Sequence, residues 1–177
     1  MAVIEAIATT YLEADAASVT FDDIPSTYEH LQLRMSTRDT QATNNQESIF
    51  LQLGDSGDSP VDTGSNYSMH YMKGQAATAG AGAQTGQTSI WLGKHPAGGA
   101  PATWYSGITV DVLDYANTNK NTTIQSTGNQ LTTGSSPRVR MTSGLWDSTT
   151  AVNAILVMGD TGLRRGCEFT LYGLKSS

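Results

Sequence analysis

The stretch YEHLQLRMSTR, Tyr28 to Arg38, alternates apolar and polar side chains clearly through its middle. A period of two puts Leu31, Leu33 and Met35 on one side and His30, Gln32 and Arg34 on the other, which is the pattern of a half-buried β-strand. Similar runs recur on both sides of it. IATTYL and SVTFDDI precede it, separated by the turn-like LEADAA, and Val19 and Phe21 share a face. After it, SIFLQL aligns Ile49, Leu51 and Leu53, NYSMHYM aligns Tyr67, Met69 and Tyr71, and TSIWLG continues the series. WYSGITVDVLDY, with Ile108, Val110 and Val112 in phase, reads as a hairpin with TTIQSTG through the polar ANTNKN. RVRMTSGLW, VNAILVM and CEFTLYGL complete about ten short strands. The segment AATAGAGAQTG is small and low in complexity and reads as a long mobile excursion.

No long amphipathic helix interrupts these strands, and Gly, Asn, Asp and Pro clusters separate them. The expected fold is all-β: a two-sheet antiparallel β-sandwich, jelly-roll-like, over residues 1–177 as a single domain, with residues 1–11 an N-terminal arm or edge strand. A chain of 177 residues can bury roughly 70% of its unfolded surface without disulfides or metals. The lone cysteine, Cys167, alternates within CEFTLYG as a small buried side chain. Trp91 and Trp146, inside strand-like runs, read as core.

Charge narrows the function classes. Ten basic and sixteen acidic residues leave a net charge of -6, with the basic residues scattered except for Arg164 and Arg165. Nucleic-acid affinity needs clustered Lys and Arg, so nucleic acid is not an expected partner. No run approaches the length of a membrane span, and the opening MAVIEAIATTYLEADA lacks the basic lead of a secretory signal, so synthesis in a cytoplasm is expected.

Several stretches could carry chemistry. GDSGDSP, Gly54 to Pro60, begins like the nucleophile motif of trypsin-like proteases. Only His30 precedes Ser56, however, and Asp58 stands where that motif has glycine, so a turn-rich loop is the better reading. Asp55, Asp58, Asp62 and Asn66 could offer oxygens to calcium, but without EF-hand spacing. His30, His70 and His95 lie far apart, without metal-ligand spacing. His30 and His70 read as residues of exposed strand faces and His95 as a loop residue of GKHPAGGAP. The glycines of residues 74–86 match no phosphate-binding pattern. No catalytic residue, cofactor or metal ligand is assigned. Trp104 and Tyr105, following PAGGAPAT, remain open between core packing and a binding platform.

Five phrases together carry a resemblance: FDDIPSTYEHLQLRMSTR, TGSNYSMHYM, DVLDYANTNKNTTI, SGLW and FTLYGLK. From about Phe21 to Lys175 the chain resembles a β-sandwich module recurrent in virion proteins of tailed bacteriophages. The landmarks are Ile24, Pro25, Tyr28, His30 and Leu31, and then Asp114, Tyr115, Ala116, Asn117 and Lys120. The resemblance implies a non-enzymatic virion component, made in the bacterial host cytoplasm. Its first expected form is a capsid decoration or cement protein, a homotrimer that sits on the capsid surface and stabilises the shell of the major capsid protein. Ile4, Ile7 and Tyr11 would then be contacts of the N-terminal arm. Its second form is a tail or fibre module that presents Trp104, Tyr105 and the 74–88 segment to host carbohydrate. Fold resemblance alone does not decide between them.

Overall fold

The computed structural model describes residues 3–55, 61–130 and 137–175. It contains twelve β-strands and, among the described residues, no helix. They are β1 (Val3–Tyr11), β2 (Ala16–Phe21), β3 (His30–Thr37), β4 (Gln46–Gly54), β5 (Tyr67–Gln75), β6 (Thr78–Gln87), β7 (Ile90–Pro96), β8 (Ser106–Leu113), β9 (Thr122–Gln130), β10 (Arg138–Trp146), β11 (Ala154–Leu163) and β12 (Glu168–Lys175). Eight form one sheet in the order β1-β12-β3-β8-β9-β10-β5-β6, and four form the other in the order β2-β11-β4-β7. Every paired ladder is antiparallel. The result is a two-sheet sandwich; the expected jelly-roll connectivity is not established by this strand order.

Apolar periodicity sets the register of the central strands. Leu31 and Leu33 of β3, Val110 and Val112 of β8, and Ile49, Leu51 and Leu53 of β4 are fully buried. A slip of one residue would turn each set to solvent, so these registers are strongly specified. Phe169, Leu171 and Cys167 join the same core between the sheets. The β8–β9 hairpin forms as its sequence implies, with Val112 opposite Ile124.

The twelfth strand is the one the sequence hides. AATAGAGAQTG is not an excursion: Thr78–Gln87 is β6, paired with β5 along its length after a two-residue turn in which Ala76 takes φ 49°. Gly, Ala and Thr supply little core of their own, and the strand exists because β5 offers a ladder of backbone donors and acceptors. An edge position tolerates such composition, since only one neighbour must be matched.

Candidate functional site

The two landmark stretches meet. The Tyr115 hydroxyl donates to the Pro25 carbonyl and accepts from the Tyr28 N–H at 3.3 Å, while the ring is fully buried. The Asp114 N–H donates to His30 Nδ1 at 3.0 Å, and Asp114 Oδ1 approaches the same nitrogen at 3.4 Å. Lys120 closes on the Asp114 carboxylate and, as the largest cause, holds its pKa below the ordinary value. Tyr28 lies flat over Gly173, where a Cβ would come within 2.3 Å of the ring. The landmarks therefore brace the 24–30 segment against the β8–β9 turn.

His95 is not a loop residue. It lies in β7, is fully buried, and faces Asp39, with Nε2 3.2 Å from the carboxylate. Thr161 Oγ1 donates to the same carboxylate, and the Gln41 N–H donates to it at 2.8 Å. Burial alone would raise the Asp39 pKa; the bonds from His95, Thr161 and Gln41 outweigh it and hold the group below its ordinary value. His95 Nδ1 has no partner among the described residues. A histidine–aspartate pair works as a base only when it reaches a nucleophile or substrate. This one is sealed from solvent and ties β7 to β11, where Asp39 also bridges Leu163.

In the 54–66 loop, Ser56 and Asp58 lie outside the described residues. Asp62 receives Trp146 Nε1 at 2.8 Å, Asn66 Nδ2 at 2.8 Å and the Gly64 N–H at 2.7 Å. Asn66 thus turns its amide nitrogen, not its oxygen, toward Asp62, and the carboxylate already accepts three donors. Among the described residues no group of three or more His, Cys, Asp or Glu side chains is arranged to hold a metal. Cys167 is fully buried, its sulfur between the N–H and carbonyl of Arg38, and burial pushes its pKa up to about 11. That disfavours the thiolate on which cysteine reactivity depends.

Arg38 is a residue the sequence reading missed. Only 2% exposed, it donates to the carbonyls of Ala97 at 2.6 Å, Ala100 at 2.8 Å, Pro101 at 2.6 Å and Trp104 at 3.0 Å. The PAGGAPATW loop is wound around one guanidinium. This fixes Trp104 and Tyr105: both are half-buried, Tyr105 packs against the core, and its hydroxyl donates to the Arg165 carbonyl at 2.8 Å. The 74–88 segment belongs to β5 and β6, and β6 lies four strands from β8, roughly 19 Å at ~4.8 Å per strand. The structure does not bring Trp104, Tyr105 and that segment into one platform.

At the other end of the large sheet, β1 is an edge strand. Ile4 and Tyr11 are 51% and 54% exposed, whereas Ile7, at the bulge between Ala6 and Ala8, packs against the core.

The most unusual surface is the outer face of β10. By apolar alternation alone, Val139, Met141 and Leu145 would point inward. Instead they are exposed, and Arg140, Thr142, Gly144 and Trp146 are buried. Trp146 explains the choice: it has the largest apolar area in the strand, stacks near Tyr67 with ring centroids 6.5 Å apart, and places its N–H on Asp62. Gly144 supports it, because a Cβ there would lie 2.8 Å from Ile90 Cδ1 on the facing sheet. The consequence is an exposed apolar row. Met141 stands beside Met72, which stands beside Ala81, and Val139 stands beside Gly74 and then Ala79. Met72 is 61% and Val139 52% exposed, and a shallow groove runs between them to the β6 edge. β6 itself carries no charged residue from Thr78 to Gln87. The signal was present in the sequence: in RVRMTSGLW the tryptophan and the apolar residues Val139, Met141 and Leu145 fall on opposite phases.

No protein-family model matches the chain, and no curated protein matches it.

Proposed function

We propose that this protein is a non-catalytic structural component of a tailed-phage virion, a decoration protein that binds the outer surface of the major capsid shell through the outer face of β10, β5 and β6. The observation that carries the reading is the inverted polarity of β10. The chain buries an arginine while exposing Val139, Met141 and Met72, and contiguous exposed apolar surface beside an uncharged edge strand is characteristic of a binding face. The virion setting comes from the resemblance described above.

The edges support self-association. β1 and β6 are the two edges of one fully antiparallel sheet of eight strands, so they run in opposite directions. The β6 edge of one copy can therefore pair antiparallel with β1 of the next without inverting it. Head-to-tail contacts of this kind form a ring where the rotation between copies closes, and a trimer is the ring this reading takes.

The test is binding of the purified protein to capsids stripped of it, measured by co-sedimentation. Met72→Glu with Met141→Glu abolishes binding and leaves the circular dichroism spectrum and melting temperature unchanged. Binding that survives the double substitution removes the face from the account, and absence of binding by the wild-type protein removes the capsid.

A further inference from the structure

A cation between two sheets needs either a counter-charge or a full set of acceptors, because desolvation is costly. Arg140 points into the sandwich and is 2% exposed, with its guanidinium carbon 3.7 Å from the ring centroids of both Tyr71 and Trp91. The two rings stand edge to face, 74° apart with centroids separated by 5.5 Å, so they wall the guanidinium on adjacent sides and leave its other donors to be matched. Nε donates to Thr142 Oγ1 at 2.9 Å and Nη2 reaches the Trp91 carbonyl at 3.4 Å, but buried Nη1 has no partner.

Two neighbours repeat the deficit. Arg138, two residues earlier on the same face, gives Nη2 to Gln75 Oε1 at 2.6 Å and keeps a buried Nε without a partner. Gln130 stands opposite Arg138 in the β9 register, is 2% exposed, and has neither side-chain amide atom matched. These three side chains and Lys94 of β7 line a cavity of about 10 Å³ between the sheets. Glycines make the room. Gly93 takes φ +144°, and a Cβ there would sit 3.3 Å from Arg140 Cδ; at Gly128, opposite Arg140, a Cβ would sit 3.2 Å from Ile108. Burial draws the Arg140 pKa down to about 10, with Tyr71 opposing the shift and Arg138 adding like charge.

The described residues offer no counter-ion, since none of the ion pairs involves Lys94, Arg138 or Arg140. A water molecule would fit the volume but bring no charge. An oxyanion brings charge but exceeds the space. A monatomic anion meets both conditions, and it accepts from every direction, as donors on separate strands require. We propose that this cavity binds a chloride ion, held by Arg138 Nε, Arg140 Nη1 and the Gln130 amide, with Lys94 contributing charge. The ion joins β7 of the small sheet to β9 and β10 of the large one.

The experiment follows thermal unfolding of the intact protein at constant sodium concentration while gluconate is replaced by chloride, and locates bromide by anomalous scattering in soaked crystals. Chloride raises Tm saturably, by about 3–6 °C at ten times its dissociation constant, and bromide gives a peak among the three side chains. Arg138→Met abolishes the chloride-specific rise, whereas Arg34→Met, on the solvent face of β3, retains it. Should Arg138→Met fail to fold, Gln130→Leu serves in its place, and the bromide map needs no variant. Equal melting in the two salts, an unsaturable rise shared by Arg138→Met, or a bromide map with no peak in the cavity overturns the proposal.

Discussion

Replacing Arg38 by methionine keeps most of the side chain's length and removes all of its donors. Four carbonyls, of Ala97, Ala100, Pro101 and Trp104, then lose a charged partner. Hydrogen bonds to charged groups are worth ~1.5–3 kcal/mol each, but the four share one guanidinium and do not add. The Pro101 carbonyl, at the partly exposed rim, can turn to water; Ala97 and Ala100, fully or nearly buried, cannot without opening the loop. Taking about two bonds as irreplaceable gives about 3–6 kcal/mol. For a chain of this size that lowers Tm by about 6–24 °C. Arg38→Lys, which can satisfy some of the carbonyls, falls between. Urea unfolding monitored by circular dichroism measures both. A loss under about 1 kcal/mol for Arg38→Met would refute the claim that this guanidinium organises the loop.

Acid destabilises the fold in a defined window. Asp39, Asp62 and Asp114 all have folded-state pKa values below the ordinary 3.8, so their contribution is complete above that pH and is lost as pH falls through the folded values. Asp39→Asn should flatten the decline below about pH 4 in pH-dependent urea melts; an unchanged slope would remove Asp39 from the explanation. Gly144→Ala forces a methyl against Ile90 in a filled core and should cost about 1–3 kcal/mol, whereas Leu145→Ala, one residue on and 36% exposed, should stay within about 0.5 kcal/mol. Reversed magnitudes in chemical denaturation would mean that the facing of β10 is wrong. Cys167 should resist alkylation at pH 8 in the folded protein and react fully in urea, since burial holds its thiol near 11; rapid native labelling would contradict its placement.

Strands with three apolar residues in phase were readable without coordinates, because one face of the sheet is core: Leu31, Leu33 and Met35 of β3, Ile49, Leu51 and Leu53 of β4, and Ile108, Val110 and Val112 of β8 outweigh the single opposed Phe50 and Leu113. β6 was unreadable for the opposite reason: its Gly and Ala residues express no preference, and its conformation comes from β5. β10 carried conflicting instructions, which packing resolves in favour of Trp146 and Gly144. Arg38 and His95 were misjudged or missed because their partners are distant in sequence: the carbonyls Arg38 holds lie 59 to 66 residues away, and Asp39 lies 56 residues before His95. Loop composition around GKHPAGGAP pointed outward, while the tertiary fold draws His95 inward. For Trp104 and Tyr105, residue type alone left core and surface open, and Arg38 and Arg165 decide the matter by fixing the loop.

Attachment to a capsid through the Met72–Met141 face is the proposal on which the function rests. Subunit-resolved cryo-electron microscopy of the particle tests it most directly, by giving the protein's location, copy number and buried face together. Many copies over the head, arranged as trimers with Met72, Val139 and Met141 against the shell, are the expected result. A few copies confined to the tail, or head-bound copies with that face open to solvent, would contradict it.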